Sequence, residues 1–360
     1  MSSLLNRPYE PDFVSPPGET IQETLDILGM SQADLAERTG KSHKGINEIV
    51  QSKVAITPET ALQLERVLGV PAHFWLSLDV NYRESLARKK SQKALSEDEA
   101  WLKMIPWQSM VKLDWISRGR DVRQQLEIVL SFFAVASPRQ WRQVWQSPEA
   151  SFRKSPAFKI EPGAVAAWLR KGEIEGQKIQ TKPFQASILR DSLKELRGLT
   201  VSSATEWKEQ ATLLCANAGV ACVFVPELPK TRACGATRWL TQSKALLQLS
   251  LRYRSDDQLW FTFFHEAGHI LLHGKKDRFL EGDGTDTPKE AEANKFAADF
   301  LIPENALAGL RRIGPLTKER IREFASSQGI APGIVVGRLQ HERLLLPSHC
   351  NDLKQRFVSL

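Results

Sequence analysis

The sequence predicts a mainly α-helical protein with one small α+β region in its C-terminal part. Three observations lead to this fold class. Apolar residues recur at helical spacing through roughly the first 70 residues, the middle of the chain is helical and rich in tryptophan, and two strand-like stretches precede a long apolar helix. We therefore expect a helix-turn-helix bundle at 1–90, a helical connector at 91–202 and an α+β core at 203–360.

The bulk composition is that of an ordinary soluble protein. Of 360 residues, 42% are hydrophobic and 25% are charged. No signal-peptide pattern and no membrane-spanning apolar run is present, so we expect a cytoplasmic protein without a membrane partner. The 4 cysteines lack CxxC spacing, which favours free thiols over a disulfide framework, and the net charge of +7 suggests acidic partners.

Four short N-terminal helices are predicted from their capping residues. Ser31, Ser42 and Thr57 have the side chains preferred at the N-cap, while Gly29 and Gly40 follow the first two helices as C-terminal glycines. In "GETIQETLDILGM" the apolar residues Ile21, Leu25 and Leu28 recur at helical spacing. Short helices joined by a tight turn that contains glycine indicate a helix-turn-helix motif.

The second helix of such a motif enters the major groove of DNA with its N-terminal residues. Between Arg38 and Lys53 there are four basic residues against the single acidic Glu48, so the expected reading edge is basic. A helical bundle that binds protein is the alternative. The residues that we expect to contact DNA are Gln32, Ser42, His43, Lys44, Asn47 and Lys53.

The connector raises a choice between two roles for its tryptophans. Aromatic residues interleaved with lysine and arginine can form a stacking surface for nucleic acid, but the core of a helical connector is the favoured interpretation. "EPGAVAAWLRKGEIEG" predicts a helix, and "SQKALSEDEA" (91–100) predicts a polar linker. The tryptophans concerned are Trp101, Trp107, Trp115, Trp141, Trp145 and Trp168.

The C-terminal part predicts a helix, two strands and a second helix in that order. Ser203 and Glu206 have capping-box spacing at the start of the first helix. "VACVFVPEL" and "ALLQLSLRY" predict strands, and the second could pair with an extended peptide as edge strands do. Ser255 is the expected N-cap of the helix "SDDQLWFTFFHEAGHILLHG". This order of elements is expected of a small zincin-like core.

The motif HEAGH predicts a metal site. His265 and His269 are four residues apart on one helix, so their imidazoles can bind one zinc ion. Glu266 lies roughly 100° around that helix, where it can act as a general base toward a water molecule activated by the metal. Catalytic zinc needs a third ligand, and the helix "TPKEAEANKFAADFLIP" offers Glu290 and Glu292.

Residues 18–90, and above all "ITPETALQLERVLGVPAHFWLSLDVNY", resemble the XRE/Cro-type helix-turn-helix of HigA-like antitoxins. The resemblance implies sequence-specific operator binding, commonly as a homodimer, and autoregulation of a toxin–antitoxin operon.

"HEAGHILLH" followed by "EAEANKFAADFLIP" is similar to the ImmA/IrrE-type metallopeptidase family over roughly 203–345. The resemblance implies a Zn²⁺ cofactor and a third ligand directly before the "AN.FA" segment, which here is Glu292.

We therefore expect a DNA-binding transcriptional regulator of antitoxin type, fused to a zinc-dependent endopeptidase-like domain with a metallopeptidase-like core. Its expected partners are double-stranded operator DNA and a cognate toxin or other protein substrate. Two alternatives stay open: a repressor whose catalytically silent metal domain is a ligand sensor, and a peptidase whose N-terminal domain binds protein substrate.

Overall fold

The protein is mainly α-helical and carries one small β-sheet, which confirms the predicted fold class. It divides near residue 97 into two compact units, 1–97 and 98–360. None of the described helices is long and apolar enough to cross a bilayer. The computed structural model describes residues 14–95, 99–146, 161–202, 206–250, 252, 255–275, 279–281, 288–312 and 314–357.

The first unit consists of helices whose ends follow the predicted capping residues. The side chains of Ser31, Ser42 and Thr57 each accept a hydrogen bond from a backbone N–H of the helix that follows, and Gly29 and Gly40 adopt left-handed conformations at the C-caps. These predictions are confirmed. The helices are α1 (Pro17–Leu28), α2 (Gln32–Thr39), α3 (His43–Val50), α4 (Pro58–Leu68) and α5 (Ala72–Leu95).

One face of each of these helices packs into a common core. Ile21, Leu25, Ile46 and Trp75 are almost completely buried there, and the indole of Trp75 donates to the carbonyl of Val70. Leu28 is in helical register with Ile21 and Leu25 but is 49% exposed. It is the last residue of α1.

The prediction of a polar linker at 91–100 is wrong for most of that segment. Helix α5 continues through Leu95 and the next helix begins at Glu99. The physical reason is that "SQKAL" contains good helix formers and neither glycine nor proline, so nothing in it ends the helix.

Tryptophans form much of the interior in the first half of the second unit. Trp101, Trp141, Trp145 and Trp168 are buried, which confirms the core interpretation for these four, whereas Trp107 and Trp115 are partly exposed. The predicted capping box pairs Ser203 with Glu206, and its serine lies outside the described residues. The helices are α6 (Glu99–Leu102), α7 (Trp107–Lys112), α8 (Val122–Phe133), α9 (Pro138–Trp141), α10 (Pro162–Lys178), α11 (Ala186–Gly198) and α12 (Glu206–Asn217).

The sheet has four described strands in the order β1-β3-β2-β4. Strand β3 is parallel to β1 and antiparallel to β2, and β4 is antiparallel to β2. The sequence predicted β1 and β3 but neither β2 nor β4. The prediction of β3 as an edge strand is wrong, because both of its edges are paired within the sheet. The strands are β1 (Val220–Phe224), β2 (Gly235–Thr241), β3 (Lys244–Leu249) and β4 (Phe279–Glu281).

Helix α10 packs directly on this sheet through its glycines. A Cβ at Gly172 would clash with the side chain of Gln248 on β3, and one at Gly176 would lie 2.6 Å from Leu246. The amide of Gln248 donates to the carbonyl of Trp168 over 2.8 Å. The structure thus groups the middle region with the C-terminal region in one unit, whereas the sequence-based division separates 91–202 from 203–360.

The other face of the sheet is covered by a helix that is buried along most of its length. This helix, α13, contacts β2, β3, β4 and two later helices. Ser255 precedes it as predicted, although the serine side chain makes no capping hydrogen bond. The C-terminal helices are α13 (Asp256–Leu272), α14 (Pro288–Leu301), α15 (Glu304–Arg312), α16 (Lys318–Gln328) and α17 (Pro332–His341).

Candidate metal centre and DNA-reading helix

Helix α13 brings two imidazoles together in the interior of the second unit. His265 is 1% exposed and His269 is 2% exposed, and their Nε2 atoms are 3.0 Å apart. Residues four apart on a helix lie one above the other, which is why both rings reach the same point. The predicted convergence of these two side chains is present in the structure.

Glu290 on α14 completes the cluster. One of its carboxylate oxygens is 3.0 Å from Nε2 of His265 and the other is 3.4 Å from Nε2 of His269. One donor atom from each of these three residues lies within 4.8 Å of the other two. Two imidazoles and a carboxylate are a ligand set of catalytic zinc sites, so the residues present fit the metal that the motif predicts.

Glu292 does not occupy this position. The structure places Glu290 beside the imidazoles, whereas the side chain of Glu292 is 63% exposed and approaches Nε2 of His273 at 3.1 Å. A shift of two residues turns a side chain by about 200° around a helix, so the two glutamates lie on nearly opposite faces of α14.

The face of α14 that meets α13 contains small buried residues. Glu290, Ala293, Ala297 and Leu301 share this face at helical spacing and are buried. A Cβ at Gly268 would lie 3.4 Å from Ala293, so the two helices approach closely through small residues. This apolar stripe is the signal in the sequence that could have selected Glu290.

The protonation states in the cluster suit metal binding. Burial acts to raise the pKa of Glu290, but the close contact with His265 and His269 outweighs it and lowers that pKa to about 2, so the carboxylate is ionised. Burial also lowers the pKa of His269, which favours the neutral imidazole. A metal ion requires an ionised carboxylate and neutral imidazoles as ligands.

The outer nitrogens of the two imidazoles have defined partners. Nδ1 of His265 is 2.9 Å from Oδ1 of Asn294, and Nδ1 of His269 is 3.0 Å from Nδ1 of His273. Because an amide oxygen only accepts hydrogen bonds, His265 donates from Nδ1 and keeps the lone pair of Nε2 for a metal. His273 therefore contacts the side of the His269 ring that faces away from the cluster.

Glu266 is completely buried next to the cluster. The hydroxyl of Thr237 on β2 donates a hydrogen bond to its Oε2. A Cβ at Gly235 would lie 2.5 Å from its Oε1, so strand β2 can pass over this side chain only because a glycine is present there. A buried carboxylate beside a potential metal site has the position expected of a general base.

Helix α3 in the first unit presents the predicted DNA-reading face. Ile46 and Ile49 face the core, while Ser42, His43 and Lys44 are exposed and Asn47 is partly exposed. Nζ of Lys44 lies 3.9 Å from Glu48, and this exposed ion pair leaves the ammonium accessible.

The remaining residues that were expected to contact DNA differ in their exposure and in their hydrogen bonds. Lys53 is exposed just after α3. The hydroxyl of Ser42 accepts from the backbone N–H of Gly45, so its first role is to cap the helix. The side-chain amide of Gln32 is partly buried and donates to Gln22 over 2.8 Å, so the residue that was expected to contact DNA links α2 to α1.

Comparisons with known proteins match the two parts of the chain separately. Residues 21–75 match a family model described as helix-turn-helix, and residues 238–326 match one described as the IrrE N-terminal-like domain of the M78 peptidases. The second match contains His265, His269 and both glutamates of α14.

Two curated relatives each match a short part of the chain. Virulence-associated protein I of Dichelobacter nodosus is 38% identical over 77 residues, which are 21% of this chain and 71% of that protein. An uncharacterized HTH-type transcriptional regulator, YddM, of Escherichia coli (strain K12) is 36% identical over 62 residues, which are 17% of this chain and 66% of the regulator.

A solved structure also matches: an addiction module antidote protein of a HigA family from Coxiella burnetii. It is 33% identical and covers 23% of this chain and 92% of its own, with a TM-score of 0.22. Together, the family matches and the curated relatives show that the chain belongs to the helix-turn-helix family of XRE type through its N-terminal domain, which is fused to an IrrE-like domain of the M78 peptidase family.

Proposed function

We propose that this protein is a transcriptional regulator of antitoxin type that binds operator DNA and carries a zinc-dependent endopeptidase domain. In this proposal it binds DNA as a homodimer in the cytoplasm, regulates its own toxin–antitoxin or stress operon, and acts on a cognate toxin or another protein. The observation that carries the enzymatic part is the convergence of two buried imidazoles and a buried carboxylate beside Glu266.

His265, His269 and Glu290 would hold the zinc ion. When bound, zinc supplies Lewis-acid activation of water and of a carbonyl group. Glu266 would accept a proton at its carboxylate and pass it to the leaving amine. Asn294 holds the ring of His265 in one orientation, and the burial of the cluster excludes bulk water from the ligands.

Metal content tests the ligand set. Purified wild type should contain about one zinc ion per chain, and Glu290→Ala should lose it because that carboxylate contacts both imidazoles. Glu292→Ala is the matched control, since it removes the same side chain two residues away on the same helix. Zinc is measured by elemental analysis of the purified variants. Retention in Glu290→Ala together with loss in Glu292→Ala would refute the proposed ligand set.

Hydrolysis is tested with Glu266→Gln, which keeps the size of the side chain and removes its basicity. The variant should bind zinc as wild type does but lose roughly 10²–10⁴-fold in the rate of peptide cleavage. Each form is co-expressed with the products of neighbouring genes, and the fragments are identified by mass spectrometry. Identical fragments from both forms would exclude Glu266 as the base.

A second candidate function is supported by the hydrogen bond from Thr237 to Glu266. This bond engages one oxygen of the proposed base. It therefore also suits a repressor whose metal domain is catalytically silent and acts as a ligand sensor. Repression is measured with a promoter fusion. If Glu266→Gln gives the same peptide fragments as wild type but a different level of repression, the result would favour the sensor.

A further inference from the structure

A cavity of about 430 Å³ lies beside the metal centre in the second unit. Helices α13, α14 and α17 contribute most of its lining residues. Phe261, Ala298, Leu301 and Ile334 give it an apolar interior. Its volume falls in the range of sites for small organic molecules, and a mainly apolar lining with a few polar groups is typical of such sites.

Several polar residues line this cavity, and Asp257 is the buried one among them. Its side chain is 4% exposed, and Nζ of Lys354 lies 2.7 Å from Oδ2. The other oxygen, Oδ1, is buried and has no hydrogen-bond partner among the described residues. A buried acceptor without a donor is costly, so a molecule that brings an N–H or O–H group to Oδ1 gains more there than in water.

The charges around the cavity favour a neutral occupant. Lys354 balances Asp257. At the rim, Nε of Arg338 is 2.6 Å from Glu342, and Nζ of Lys295 on α14 is 2.6 Å from Asp299. Because each charge near the cavity already has an opposite charge beside it, an ionic ligand would have to break a pair, whereas an uncharged ligand would not.

One residue of the lining also touches the metal centre. Asn294 borders the cavity, and its Oδ1 accepts the hydrogen bond from Nδ1 of His265. A molecule in the cavity therefore contacts the side chain that fixes the ring of a proposed metal ligand. Outer contacts of this kind tune metal affinity.

We propose that this cavity binds a small, uncharged, amphiphilic molecule through an N–H or O–H donor to Asp257, and that occupancy strengthens metal binding through Asn294. The proposal that a small molecule binds depends only on the cavity. The proposal that its binding strengthens metal binding depends also on the proposed metal centre.

Indole and N-methylindole are suitable probes because they share an apolar ring system and differ in the N–H donor. Each is titrated into zinc-free, full-length protein and followed by ligand-observed NMR. Indole should bind saturably and at least about tenfold more tightly than N-methylindole, as expected for loss of one hydrogen bond to a carboxylate. Equal affinities would overturn the role of Asp257, and this comparison needs no variant.

A cavity-filling variant locates the site. Ala298→Leu adds a side chain inside the cavity and should abolish indole binding. Gly309→Leu on α15 is the control, because no heavy atom lies within 4 Å of the Cβ position there. Circular dichroism verifies that both variants are folded. Unchanged indole binding in folded Ala298→Leu would overturn the assignment of this cavity.

Coupling is measured as zinc affinity against a competing chelator, with and without saturating indole. Indole should tighten zinc binding at least about fivefold in wild type and leave it unchanged in Ala298→Leu. Indole binding without any change in zinc affinity would overturn the coupling alone. Absence of zinc binding under all conditions would instead refute the proposed metal centre, while the indole titration would still decide whether the cavity is a ligand site.

Discussion

Asp256, the first residue of α13, is a fully buried acid that packs against the first turn of α17. A Cβ at Gly333 would clash with its carboxylate, so the glycine allows this close approach. The backbone N–H of Asp257 donates to Oδ1 over 2.9 Å. Burial nevertheless dominates and raises the pKa of Asp256 to about 6, from an ordinary value of 3.8.

The pH dependence of stability should therefore contain a contribution from Asp256. Between about pH 4 and pH 6 the folded state holds a proton at this carboxyl that the unfolded state has lost, so the free energy of unfolding falls as the pH rises through this range. The asparagine in Asp256→Asn does not titrate, so this variant does not show the fall in the free energy of unfolding. The difference in unfolding free energy, variant minus wild type, should rise by up to about 3 kcal/mol from pH 4 to pH 7.

Urea unfolding of zinc-free protein across this pH range measures that difference. Asp191→Asn, which changes an exposed aspartate on α11, is the control and should follow wild type. A difference for Asp256→Asn that is constant with pH would contradict the raised pKa.

Some single residues could be predicted from the sequence and others could not. The caps Ser31, Ser42 and Thr57 were predictable because each acts on its own helix. The resemblance pointed to Glu292, whereas the structure places Glu290 beside the imidazoles, because the outcome depends on which face α14 turns toward α13. That face is decided by packing between two helices, and a shift of two residues reverses it.

Among the secondary-structure elements, α3 combines two roles on two faces. Ile46 and Ile49 anchor it in the core of the first unit, and Lys44 and Asn47 project from the other side. Since the core fixes the helix, changes on the outer face should alter DNA binding without unfolding the domain.

Asn47→Ala should weaken binding to a preferred DNA site by roughly 1–3 kcal/mol and leave binding to unrelated DNA unchanged, because an asparagine reads base edges. The preferred site is selected by wild-type protein from random duplexes, and affinities are measured by fluorescence anisotropy. Asn81→Ala makes the same change at an exposed position of α5 and should bind as wild type does. Equal weakening on both kinds of DNA would indicate that Asn47 contacts only the backbone.

The elements that the sequence did not predict are those that depend on distant partners. Strands β1 and β3 were recognisable from their apolar character, but β2 and β4 were missed. The exposed or partly exposed residues of β2, including Arg238 and Trp239, give it no continuous apolar run, and β4 has only three residues. Both are strands because of the neighbours they pair with.

On the scale of the whole molecule, the division into two units assigns the proposed metal centre and the proposed DNA-reading helix to separate cores. Trp75 is the one tryptophan of the first unit, and the other 9 of the 10 belong to the second. Tryptophan fluorescence therefore reports mainly on the second unit, whereas circular dichroism reports on the helices of both.

Zinc should raise the melting temperature of the second unit alone. A ligand that binds only the folded state stabilises it by mass action, by about 4 kcal/mol at a thousand times its dissociation constant. We expect two transitions in calorimetry, of which only the one seen by tryptophan fluorescence shifts with zinc. Glu290→Ala should show no shift. A single transition that moves as a whole would mean that the two units unfold together.

The contact between Phe279 and His269 has a consequence for spectroscopy. The two rings lie nearly parallel, with centroids 3.8 Å apart, although the strand that carries Phe279 pairs with β2 over only three residues. The circulating electrons of a benzene ring shield protons that lie above its face. The carbon-bound protons of the His269 imidazole should therefore resonate upfield of those of the exposed His43, and the size of that displacement in solution gauges how long β4 stays against the imidazole.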